Sequence, residues 1–150
     1  MLLNTEPLTV TLTFGRFKVT LKQLSVIEFL PYAVIFDRYK VFTQDIPENL
    51  SEDQLREIHV RRFRQFIQTL SDTEKQMLIA YVAACIDDWN LKDPKKKEKI
   101  PITAENVERY IPPDIFSVLF FTCNMLNNIM KGEVDFFDEQ EEKEVSQKQQ

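Results

Sequence analysis

Leu8-Thr9-Val10-Thr11-Leu12-Thr13-Phe14-Gly15-Arg16-Phe17-Lys18-Val19-Thr20-Leu21-Lys22-Gln23-Leu24-Ser25-Val26-Ile27-Glu28 reads as two short strands that run straight into a helix. Leu8, Val10 and Leu12 alternate with Thr9, Thr11 and Thr13, and Phe17, Val19 and Leu21 alternate with Lys18, Thr20 and Lys22. Period-two alternation in β-favouring residues gives each strand one apolar and one polar face. Phe14-Gly15-Arg16 supplies the turn, so the pair is a β-hairpin. A lone hairpin is marginal in water and must pack on something.

What it packs on follows in the chain. Ser25-Val26-Ile27-Glu28 is a capping box, and it predicts a helix to about Phe42 with a kink or a late start at Pro31. This helix is apolar on nearly all sides, so either the monomer or a partner must bury it. Ser51 with Gln54 opens a second helix, whose stripe is Leu55, Ile58, Phe63, Phe66, Ile67 and Leu70. Ser71-Asp72-Thr73-Glu74 opens a third, read as running to Trp89 and, being apolar all round, as the centre of a bundle. Leu91 to Pro101 is a charged connector, and Thr103 to Tyr110 a short helix stopped before Pro112-Pro113. Asp114 is read as the cap of a last helix to about Lys131, ended by Gly132. The expected fold class is therefore mainly α (α+β), an N-terminal β-hairpin followed by a bundle of four to five helices. Residues 1–132 make one domain, and residues 133–150 a disordered acidic tail.

Charge supports that division. Residues 133–150 hold seven acids and two lysines, which account for the whole formal charge of −5. The other 132 residues balance at 17 acids and 17 bases, so the body has no field to attract nucleic acid or an anionic membrane. The lysines Lys95, Lys96, Lys97 and Lys99 lack interleaved aromatics and read as a solvated connector, which the acidic tail could pair with loosely. Ile115 to Met130 is broken by Ser117, Thr122, Asn124, Asn127 and Asn128, which favours a buried helix over a membrane span. No signal peptide is visible, and Cys85 and Cys123 in apolar helical surroundings read as reduced thiols, so a cytoplasmic setting is expected (the host cytoplasm for a viral protein).

Catalytic equipment is not legible. His59 is the sole histidine, set among arginines in the second helix, and reads as a partly exposed helix residue. Asp87 and Asp88 diverge by about 100° on a helix and read as solvated acids at its end. Cys85 and Cys123 have no Cys-x-x-Cys spacing, and no metal or cofactor set is evident. The expectation is a non-enzymatic protein that binds other proteins. Phe29, Tyr32, Phe36, Phe116, Phe120, Phe136 and Phe137 are the expected hydrophobic contacts. The last two sit in Asp135-Phe136-Phe137-Asp138-Glu139, which could dock in a partner's groove or fold back on the last helix.

The hairpin from Leu8 to Leu24, stepping into a helix through Leu24-Ser25-Val26-Ile27-Glu28, with helices and a charged tail beyond, resembles the tail assembly chaperones of tailed bacteriophages. The likeness covers residues 8–42 in detail and the rest in layout. It implies a small nonenzymatic protein, self-associating, that shields tail components such as the tape-measure or tube protein during assembly. A helical regulatory adaptor that binds one partner through its acidic aromatic tail is the alternative, and a minor structural component a third reading.

Overall fold

The computed structural model describes residues 6–42 and 44–128. The expectations for Lys131, Gly132, the acidic segment, Phe136 and Phe137 lie outside the described residues. Strands β1 (Thr9–Phe14) and β2 (Phe17–Lys22) form the expected antiparallel hairpin, in register from Thr9↔Lys22 to Phe14↔Phe17. Gly15 takes φ +61°, while Arg16 keeps a negative φ. Glycine at the first of two central positions is the type II′ pattern, whose twist matches that of paired strands. Thr11 and Thr20 join hydroxyls across the polar face at 2.9 Å, and Val19 and Leu21 are fully buried on the other.

A third strand joins them. The helix that starts at Ser71 stops at Cys85, four residues short of the expected end, and Ile86–Trp89 becomes β3, antiparallel to β2 on the side away from β1. Val19 pairs with Trp89, Thr20 with Asp88 and Leu21 with Ile86, so Asp87 is an extra residue at a bulge. The bulge turns both Ile86 and Trp89 inward and leaves both Asp87 and Asp88 outside. The two acids are solvated, as expected, but on a strand and not at a helix end. Asn90 extends the pairing: its backbone N–H donates to the Lys18 carbonyl at 3.1 Å, and its side chain accepts from Lys18 N–H and donates to Arg16 O, both at 2.8 Å.

The helices follow the caps. Ser25 and Glu28 close the box of α1 (Val26–Phe29). Pro31 then forces a 3₁₀ turn over Leu30–Tyr32 before α2 (Ala33–Phe42), which is the expected kink. Capping boxes at Ser51 and Ser71 open α3 (Glu52–Gln68) and α4 (Asp72–Cys85). Arg38 of α2 meets Glu74 in the first turn of α4. Thr103 caps α5 (Ala104–Tyr110), and α6 spans Pro113–Asn128. Proline takes the first position of α6, where a missing N–H costs nothing, so Asp114 lies inside the first turn and does not cap it.

The lysine-rich connector is a built turn. Asp93 Oδ1 accepts from Lys95 N–H at 2.8 Å, Asp93 and Glu98 pair through their backbone, and Lys99 meets Asp88. Lys99 holds the Asp88 carboxyl below its usual pKa. Trp89 Nε1 donates to Ile100 O at 2.7 Å, tying the end of β3 to the chain that returns from the turn.

Aromatic rings fill the core. Phe120 is fully buried, with Tyr39 at 4.8 Å, Phe63 at 5.1 Å and Tyr81 at 6.0 Å between ring centroids. Cys85 and Cys123 are buried and free, and burial raises the Cys123 pKa. A polar seam crosses this core where the hairpin meets α6. Leu24 N–H donates to Asn127 Oδ1 at 2.8 Å, and Gln23 Nε2 to Leu126 O at 2.9 Å. Asn127 Nδ2 donates to Tyr81 Oη at 2.9 Å and to Cys85 Sγ at 3.5 Å, and Tyr81 donates onward to Asn124 Oδ1 at 3.1 Å. Among the described residues, no helix is long and apolar enough to cross a membrane.

Candidate binding surfaces

Two surfaces leave apolar side chains uncovered. The first runs along α1, the 3₁₀ turn and α2, where Val26, Ile27, Leu30, Val34 and Val41 are between 60% and 83% exposed. Within α2, at about 100° per residue, Val34 and Val41 share one side with Asp37. Ile35, Phe36 and Tyr39 take the opposite arc and are buried. The run is thus apolar all round, as the sequence indicates, but its two faces have different occupants. Aromatics, which bury the most area per side chain, fill the core, and branched aliphatics face out.

Two of the expected contacts lie on the covered side. Phe120 is 0% exposed and Phe36 8%, so both belong to the core. Phe29 and Tyr32 are half-buried with their rings against Tyr81, at 6.3 and 5.6 Å, and Phe116 is half-buried against Phe63 at 6.2 Å. Greasiness summed over the whole helix hides the exposed aliphatics; the angular split between rings and aliphatics within it is the sequence signal for them.

The second surface is a groove of about 590 Å³ between α2, the front half of α3 and the back half of α6. Leu55, Val118, Phe121 and Met125 give it an apolar floor, and Lys40, Glu52 and Arg56 lie on it as charges. The expected apolar stripe of α3 is only half covered. Phe63 and Phe66 are buried, while Leu55 remains exposed at the groove.

Buried polar atoms on three lining residues have no hydrogen-bond partner among the described residues: Tyr39 Oη, His59 Nδ1 and Asn124 Nδ2. Each such atom costs about 1–3 kcal/mol when left unmade. Burial raises the Tyr39 pKa, so the phenol keeps its proton and is a donor. Asn124 spends its oxygen on Tyr81 and keeps its amide donors for elsewhere. His59 is partly exposed, as expected, and its ring packs 5.1 Å from Phe121. Compared with known families, curated proteins and solved structures, the chain matches none.

Among the described residues no cluster of three or more His, Cys, Asp or Glu side chains is placed to hold a metal ion. His59 is the one group on the groove floor with an ordinary pKa near neutrality, and burial lowers it below 6.5. As pH falls past 6.5 the unfolded chain protonates first, so stability is lost until the folded imidazole also takes its proton. His59→Gln should therefore flatten the fall in stability between about pH 7 and pH 5, read from urea unfolding at each pH. Equal slopes for both proteins would mean that the imidazole is fully hydrated.

Proposed function

We propose that this chain is a non-enzymatic assembly chaperone that shields hydrophobic surfaces of structural proteins, in the manner of the bacteriophage tail assembly chaperones its hairpin–helix layout resembles. The observation that carries the reading is the aliphatic stripe Val26, Ile27, Leu30, Val34 and Val41. Soluble monomers rarely present contiguous apolar surface without a partner for it. Branched aliphatics also suit a holding role, because their contacts are non-directional and accept clients of varied shape. On this reading the clients are tail components such as a tape-measure or tube protein, met in the host cytoplasm, and the stripe also supports self-association.

The test uses the full chain with Ile27→Glu, Leu30→Glu and Val34→Glu together. These positions are exposed, so the fold should keep its stability to within about 0.5 kcal/mol per site. Co-expression with a tape-measure or tube protein should then leave the client insoluble, where the unaltered chain keeps it in solution. Sedimentation should show a shift to monomer. Undiminished client solubility with the triple variant would remove the stripe from the mechanism.

A further inference from the structure

We infer that the groove between α2, α3 and α6 is the seat of this chain's own acidic aromatic segment, Asp135-Phe136-Phe137-Asp138-Glu139, folded back along α6. The inference concerns a different face from the client stripe and does not depend on that reading.

Three observations converge on this occupant. The first is position: Asn128, the last described residue of α6, lines the groove, so residues 129–150 leave the described structure from its rim. The second is reach. From Val118 to Asn128 the groove follows ten residues of helix, about 15 Å. The eight residues from Ile129 to Phe136 can span up to about 26–29 Å, with Gly132 among them to reverse direction.

The third is complementarity of charge and bulk. The segment lies in a stretch with seven acids and two lysines, and the groove lining carries Arg56 and Lys40, the latter also 4.0 Å from Asp37, against one acid, Glu52. Phe136 and Phe137 bring two rings to a floor of Leu55, Val118, Phe121 and Met125, and a methionine sulfur is a favourable neighbour for a ring. Tethering also sets the local concentration on the order of millimolar, so even weak intrinsic affinity fills the seat.

The experiment compares the full chain with its F136S/F137S variant by amide and histidine-ring NMR. Both substitutions lie outside the described core, and His59 is the single histidine, which makes its ring signals unambiguous. The expected result is a change at Leu55, His59 and Met125 that persists on tenfold dilution. A synthetic peptide of residues 131–142, added to the variant, should restore the original positions. It should bind the unaltered chain at least tenfold more weakly, because the seat is taken. Met125→Glu, at an exposed groove position, should release the segment and reproduce the variant's spectrum around His59.

Identical groove signals in the chain and the F136S/F137S variant would overturn the inference. So would signals that revert on dilution, which would give the seat to a second copy's segment. Changes confined to Lys95–Lys99 would place the acids on the lysine turn instead and would equally end it.

Discussion

Phe120→Ala should lower the unfolding free energy by about 3–5 kcal/mol, measured by urea denaturation. The ring is fully buried, and its neighbours Tyr39, Phe63 and Tyr81 come from α2, α3 and α4. Three helices would have to shift together to close the space, so most of the cavity should persist and the upper part of the range applies. A loss below about 1 kcal/mol would mean that the aromatic cluster is not close-packed. The same reasoning bars Phe120 from serving as a probe of partner binding, since its removal weakens everything built around it.

The second large effect is expected at Asn127. Its carboxamide accepts from Leu24 N–H and donates to Tyr81 Oη and Cys85 Sγ, joining the hairpin exit, α4 and α6 through one side chain. Asn127→Ala leaves the Leu24 N–H without its acceptor and Tyr81 with one bond fewer. One orphaned buried donor costs about 1–3 kcal/mol, and the lost packing adds to it. A total near 2–4 kcal/mol is expected in the same denaturation assay. Hydrogen exchange gives the sharper check, because the Leu24 amide should lose protection before the amides of β2 do. Uniform loss across the sheet would show that the seam is not a local joint.

Much of this fold was legible because its signals are local. The three capping boxes at Ser25, Ser51 and Ser71 each pair a serine with an acid or amide three residues on, and all three open helices. The hairpin register followed from alternation and one glycine. The strand at Ile86–Trp89 was not legible, because it continues a helical apolar pattern and owes its conformation to pairing with β2, a contact with residues far away in sequence. The polar seam was hidden for the same reason. In sequence Asn124 and Asn127 are only interruptions in a greasy helix, and their partners at Leu24 and Tyr81 lie 103 and 43 residues or more away. The apolar surplus on the first helix was visible. Its orientation was not, since composition alone does not say which arc the rings take.

The bulge at Asp87 has a further consequence for how this chain tolerates change. Asp87 and Asp88 face solvent, so most polar residues would serve in their place. The skip in the pairing is another matter. With the same two residues between them in a regular strand, Ile86 and Trp89 would fall on opposite sides of the pleat, and either the indole or the isoleucine would be turned out into water. What this stretch must preserve is the one place where the ladder passes over a residue, and its loss would be felt by the core although both acids beside it look expendable.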